Sequence, residues 1–185
     1  DVTNQFEVTC KPGTLSILPR LVTLTSASGE KDFDGSALTN HEVAVSGDGF
    51  VDGEGASYDV TGTQTLPGYS ANTFTYGLNA GTIATNYEIT TVQGTLTVKD
   101  REELYEITVE ANSGSKTYDG QAMTVSGLKE TTFTVDGNVY TVSELTAEVT
   151  KTDAGEYPVN VIGTAVVRDA AGNDVTRQFS VATKN

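Results

Sequence analysis

The run Lys31-Asp32-Phe33-Asp34-Gly35-Ser36-Ala37-Leu38 returns as Lys116-Thr117-Tyr118-Asp119-Gly120-Gln121-Ala122-Met123, about 85 residues later. Recurrence in matching surroundings restricts the chain to two copies of one small unit. The chemistry of the motif is local. Phe33 and Tyr118 serve as apolar anchors, Asp34 and Asp119 can bond their own backbone, and Gly35 and Gly120 take the positive φ of a tight turn. Lys31 and Lys116 stand just before the rings, and their methylenes are expected to lie over them with the charge in water.

Other segments recur in the same order. Asn4-Gln5-Phe6-Glu7-Val8-Thr9 leads into Gly13-Thr14-Leu15-Ser16-Ile17, as Asn86-Tyr87-Glu88-Ile89-Thr90-Thr91 leads into Gly94-Thr95-Leu96-Thr97-Val98, and residues 174–181 echo residues 1–8. Val22 and Leu24 match Ile107 and Val109 with an alternation of period two, the mark of a half-buried strand. Gly numbers 19 and no long run has helical spacing, so strands joined by tight turns are expected. The fold class is therefore all-β. Two small β-sandwich domains in tandem are expected, immunoglobulin-like in the first place and β-grasp-like in the second. Their bounds are 20–99 and 100–185. Residues 1–19 are the tail strands of a preceding repeat, or a hairpin packed on the first domain.

Finer expectations follow. The glycine-rich stretch 47–55 forms no regular element, and residues 99–104 make a charged linker, with a single helical turn as the lesser reading. Asp153-Ala154-Gly155-Glu156-Tyr157 has the pattern of a tyrosine corner, with Tyr157 buried and its hydroxyl bonded to the backbone. Its counterpart in the first copy is Ser70-Ala71-Asn72-Thr73-Phe74. Residues 165–168 and 175–181 read as the arms of a last hairpin.

With 25 acidic against 11 basic side chains, the net charge is −14, which repels nucleic acid and anionic membrane surfaces. No stretch of about 18 apolar residues is present for a membrane span. The single Cys10 rules out an intramolecular disulfide. His41 is the only histidine and no nucleophile motif surrounds it, so catalysis is not expected. Asp48, Asp52 and Glu54 are weak calcium candidates in the glycine-rich loop, without counterparts in the second copy; no other cofactor is implied. A Lys-to-Asn crosslink would draw on Lys31 and Lys116, but Asn86 is replaced by Gln178, so no Asn repeats with them.

The ordered set Lys-x-Phe/Tyr-Asp-Gly-x-Ala-Leu, Tyr-x-Val-x-Gly-x-Gln-Thr from Tyr58, Asn-Thr-Phe-x-Tyr from Asn72, and Asn-Tyr-x-Ile-x-x-x-x-Gly-Thr-Leu-x-Val from Asn86 resembles the MBG or YDG type of tandem repeat. Such repeats occur in large secreted and wall-anchored bacterial surface proteins. Residues 20–99 carry the whole pattern. Residues 100–185 keep the head at 116–123 and the tail at 178–181, but lack Asn-Tyr and the final Gly-Thr-Leu-x-Val. The resemblance implies extracellular display at a bacterial cell surface or wall, in stalks or adhesins. The expected function is a non-enzymatic spacer in cell adhesion, with neighbouring repeats of the same chain as partners. Alternatives are a host glycan- or mucin-binding module that stacks sugars on Tyr58, Tyr69 and Tyr76, and an accessory domain of a secreted hydrolase.

The repeat phase bears on assembly. If each domain runs from Leu21 to its own Gly-Thr-Leu-x-Val strand, the second copy lacks that strand and residues 1–18 are an orphan tail. That tail is then expected to pack on the first domain, or to complete the second copy of a neighbouring chain by strand addition. Units starting at Gly13 and Gly94 leave no vacancy, and a monomer follows.

Overall fold

A computed structural model describes residues 5, 7 and 9–184. The alternation around Val22 and Leu24 can hide its apolar half only as a strand, and β1 (Arg20–Ser26) turns Val22, Leu24 and Ser26 inward. Its neighbour comes from far along the chain. β7 (Tyr87–Val92) runs parallel to it, with Arg20 opposite Tyr87 and Thr25 opposite Val92. Beyond Ala27-Ser28 the chain continues as β2 (Gly29–Asp32) beside β8 (Gly94–Lys99), with Gly29 opposite Leu96 and Asp32 opposite Lys99. The register is unchanged across the break, so one parallel ribbon changes sheets at its middle. β3 (Val43–Gly47) pairs antiparallel with β1, and β5 (Gly68–Asn72) pairs antiparallel with β8, which makes β8 the central strand of its sheet. β4 (Ala56–Val60) and β6 (Phe74–Leu78) form a separate antiparallel pair.

Two buried polar side chains hold the ribbon's break. Ser26 Oγ donates to the Asn72 carbonyl at 2.6 Å and accepts from Gly94 N–H at 2.9 Å. Asn72 Nδ2 donates at 2.8 Å to each of the carbonyls of Ala27 and Asn40. Backbone groups that the kink removes from the ladder are thus satisfied by side chains. A Cβ on Gly94 would collide with the carbonyl oxygens of Ser26 and Ala27, so the chains approach this closely only at glycine.

The second half repeats the parallel device. β9 (Tyr105–Glu110) lies beside β14 (Phe179–Lys184), with Tyr105 opposite Phe179 and Glu110 opposite Lys184. Between them in sequence come β10 (Met123–Ser126), β11 (Thr132–Val135), β12 (Asn138–Lys151) and β13 (Val161–Asp169). The long β12 receives β10 at its end, β11 at its start and β13 on its other edge, all antiparallel. A bulge at Glu144, whose φ is 63°, shifts the β12–β13 register and bends the strand. Every described strand pair stays within 20–99 or within 105–184.

The protein is an all-β, sandwich-type fold with two apolar clusters. One joins Val22, Leu24 and Tyr87 to Phe50, Tyr58 and Phe74. The other carries Phe33 and Val98 of the first half into Ile107, Val109, Tyr140, Val142, Val167 and Phe179 of the second. Among the described residues no helix is long and apolar enough to cross a membrane.

Four expectations need correction. Residues 9–19 form no strand, and Leu15, Ile17 and Leu18 are 89%, 88% and 82% exposed, so this segment packs as no hairpin on the first half. Phe6 and Val8 lie outside the described residues. The last hairpin is absent too: after a single bridge between Arg168 and Asp174, a 3-10 turn (Thr176–Gln178) throws the chain across to β9. Tyr157 is 40% exposed, although its hydroxyl does donate to the Asp153 carbonyl at 3.4 Å. It is also not the counterpart of Phe74, because Val161 faces Ala147 as Phe74 faces Val60.

Asn72→Ala leaves the carbonyls of Ala27 and Asn40 without donors in a buried site, and is expected to cost about 2–4 kcal/mol. Urea unfolding followed by far-UV circular dichroism checks this; a midpoint equal to that of the unaltered chain would show that the kink does not need the bracket.

Candidate functional site

The repeated motif builds a clasp. Gly35 and Gly120 sit at φ 78° and 76°, and each turn closes on the Asp before it. Asp34 Oδ1 accepts from Ser36 N–H and Oγ–H, both at 2.8 Å, and from Lys31 Nζ at 2.6 Å. Lys31 also donates to the Ser36 carbonyl at 2.7 Å. In the second copy Asp119 Oδ1 accepts from Gln121 N–H at 2.9 Å and Lys116 Nζ at 2.7 Å, and Lys116 donates to the Gln121 carbonyl at 2.6 Å. The ammonium groups therefore sit inside their turns instead of in water above the rings, and no Asn is among their partners. Burial pushes the Asp34 carboxyl up, but Lys31 and Ser36 together outweigh it and hold the group below its ordinary value. Asp119 is lowered by Lys116 first and the Gln121 amide second.

The anchors themselves differ. Phe33 is 1% exposed, whereas Tyr118 is 64% exposed, so of the two rings expected as apolar anchors only Phe33 is buried. Phe33 is covered because the second half lies against it. The Arg101 guanidinium donates to the Phe33 carbonyl at 2.9 Å and to the Tyr105 hydroxyl at 3.1 Å, and it stacks 3.9 Å above the Tyr105 ring. Arg101 N–H donates to Gln178 Oε1 at 2.9 Å, while Gln178 Nε2 donates to Asp100 at 2.6 Å. Asn138 Nδ2 reaches back to the Asp34 carbonyl at 3.0 Å. Phe179 packs edge-on to Tyr140 with centroids 4.8 Å apart, and tilts over Tyr105 at 5.4 Å. A Cβ on Gly35 would strike the Tyr140 hydroxyl, so the same glycine that makes the turn also admits the facing ring.

The junction is thus fixed by Arg101, Tyr105, Asn138, Tyr140 and Gln178, of which only Gln178 stands in a recurring motif. Two of them leave a trace in the sequence. Arg101 stands in the charged linker, and Gln178 takes the tail position held by Asn86 in the first copy. Tyr105 donates to Asp136 at 2.8 Å, and burial first, with the Asp136 bond second, pushes its phenol up to about 12 against the opposing charge of Arg101.

The other sequence candidates are scattered. Tyr58 packs into the first cluster and faces Tyr76 across β4–β6, while Tyr69 stands 80% exposed on β5 of another sheet. Asp48 is taken up by Leu21 N–H at 2.9 Å, and Glu54 lies beside the Tyr87 hydroxyl. Among the described residues no group of three His, Cys, Asp or Glu side chains is placed to hold a metal ion. His41 Nδ1 lies 3.2 Å from the Val60 carbonyl. Cys10 is exposed.

Comparison with family models, with curated proteins and with solved structures finds no match to this chain.

Because the fold favours the neutral form of Tyr105, that contribution to stability is fully present below the ordinary tyrosine value of 10 and is lost as pH rises through about 12. The tyrosinate absorbance difference between the chain and its Tyr105→Phe variant should be centred near pH 12. A difference centred near 10 would mean that the Arg101–Tyr105–Asp136 set does not persist in solution.

Proposed function

We propose that the chain is a non-enzymatic, load-bearing spacer of a bacterial surface protein, holding an adhesive part away from the cell wall in series with neighbouring repeats. Extracellular placement rests on the resemblance of its ordered motifs to MBG or YDG repeats. The observation that supports the mechanical role is the parallel pairing of opening and closing strands in both halves, β1 with β7, β2 with β8, and β9 with β14.

In a parallel pair, the incoming end of the first strand and the outgoing end of the last lie at opposite ends of the ladder. Tension applied through the two ends pulls across all the inter-strand hydrogen bonds at once. An antiparallel pair loaded at neighbouring ends would instead open bond by bond. Parallel ladders are slightly weaker per residue at equilibrium, so the gain is specifically in resistance to directed force. The Arg101 bolt carries the strain from one ribbon to the next, since it ties the linker to Phe33, to Tyr105 and to Gln178. With Cys10 as the sole thiol, no intramolecular disulfide adds to this resistance.

Force spectroscopy with attachment at residues 20 and 99, which shears the ribbon, should give rupture forces several-fold higher than attachment at 20 and 86, which peels it. Equal forces for the two geometries would remove the mechanical argument and leave the family resemblance standing alone.

A further inference from the structure

A cleft of about 560 Å³ lies where the two halves meet, within the roughly 300–1,000 Å³ of small-ligand sites. One wall is Gly35 and residues 63–66 of the first half; the other is the start of β12 and the turn that follows β13. Tyr58, Tyr69 and Tyr76 line no part of it. The wall from the second half carries a group that the fold leaves unused. Tyr140 is 1% exposed, and its hydroxyl, against Gly35, has no hydrogen-bond partner among the described residues. Burial first, and then the charges of Asp169, Asp136 and Asp34, push its phenol up, so the hydroxyl keeps its proton and stands as a donor. Buried donors are nearly always bonded, and this one lacks an acceptor at the wall of an open cleft.

The rest of the lining decides what kind of acceptor fits. Its main chain is already paired: Gln64 exchanges both of its backbone bonds with Leu38, and β12 is flanked at residues 138–140 by β11 and β13. No ladder edge is open here for an extended peptide. The nearby carboxylates are engaged as well. Asp169 accepts from Ala171 N–H, Asn173 N–H and Asn173 Nδ2, Asp34 from Lys31 and Ser36, and Asp136 from the Tyr105 hydroxyl. Their summed charge opposes an anion, and a metal ion finds no group of three such side chains placed to hold it among the described residues. What remains is neutral. The amides of Gln64, Asn138 and Asn173 give N–H groups to the Leu66 carbonyl, the Asp34 carbonyl and Asp169 in turn. Their three amide oxygens and the Thr63 and Thr65 hydroxyls have no partner among the described residues. Such a set exchanges bonds with hydroxyl groups, which both donate and accept.

We propose that this cleft binds a short neutral oligosaccharide across the junction. Tyr140 donates to one of its oxygens, the three amide oxygens accept from its hydroxyls, and Leu66 and Val139 of the lining lie under its C–H faces. Asn138 Nδ2 stands beside the Tyr140 hydroxyl over Gly35, and its amide swings aside as the sugar enters. Because the walls belong to different halves, the bound sugar also stiffens the joint between them. The site stands independently of the mechanical role.

The isotope-labelled chain, titrated with lactose, maltotriose and N,N′-diacetylchitobiose and followed by nuclear magnetic resonance, should show saturable shifts with at least one of them. The shifts should fall on the side-chain amides of Gln64, Asn138 and Asn173, with none at Tyr69. Tyr140→Phe should weaken that binding about tenfold or more. Its thermal midpoint should be unchanged or higher, since deleting an unbonded buried hydroxyl removes a desolvation penalty. Gln64→Ala, on the other wall, should weaken binding as well, and Tyr69→Ala should not. Amide exchange at Gly35 and Asn138 should slow with the sugar bound. Trigalacturonate, the anionic probe, should not bind. The absence of a saturable shift with all three neutral sugars, shifts centred on Tyr69, undiminished binding by Tyr140→Phe, or a preference for trigalacturonate each overturns the proposal.

Discussion

The structure depends on the pairing of strands that are distant in sequence and run in the same direction. β1 and β2 find β7 and β8 about four-fifths of a copy later, and everything between them must return the chain to the starting end. Parallel pairing forbids a tight hairpin as the closing device. The chain instead uses a 3-10 turn, Ala84–Asn86 before β7 and Thr176–Gln178 before β14, to change sheets just ahead of the closing strand. The ribbon's break at Ser26, Asn72 and Gly94 follows from the same demand. A strand pair can leave one sheet for another only where its freed carbonyls find donors, and Asn72 supplies two.

Burial of one aromatic ring separates the two ends of the molecule. Phe33 and Tyr118 occupy equivalent places in equivalent turns, each clasped by a Lys and an Asp, yet one is covered and the other exposed. The turn determines where the ring stands but not what lies over it. At Phe33 the cover is the second half, held by Arg101, Asn138 and the Tyr140–Phe179 pair. Burying a ring of this size is worth roughly 2–3 kcal/mol. The polar bonds around it give direction, because an apolar contact alone fixes no orientation. Tyr140 marks the cost of this close approach: its hydroxyl is buried against Gly35 with no hydrogen-bond partner among the described residues.

Much of this was legible in advance for particular reasons. The alternation at Val22/Leu24 and Ile107/Val109 admits one conformation and one inward face, and the structure has both. The Asp-Gly pairs form tight turns with glycine at positive φ, since glycine, lacking a Cβ, takes that conformation at no steric cost. Failures came where a local pattern had two outlets. Residues 165–181 read as a hairpin because a turn signal between two apolar runs gives no information on which strand the second run joins. Tyr157 matched a corner motif, and its bond to Asp153 is present, but burial needs a neighbouring strand that the motif does not encode. The lysines were placed over rings because their partner, the carbonyl of Ser36 or Gln121, is made available only by the folded turn.

The sequence by itself determined the class of structure: strands, tight Asp-Gly turns at a recurring motif, and an acidic chain with a single thiol. These follow from periodicity, backbone sterics and composition, all of which act over a few residues or over the sum of them. Only the tertiary structure decided that the closing strands run parallel to the opening ones, that Arg101 and Gln178 bind the halves, and that Phe33 is covered while Tyr118 is not. Each of those depends on which distant segments meet, and a strand's hydrogen-bonding edge is alike for every partner until packing selects one.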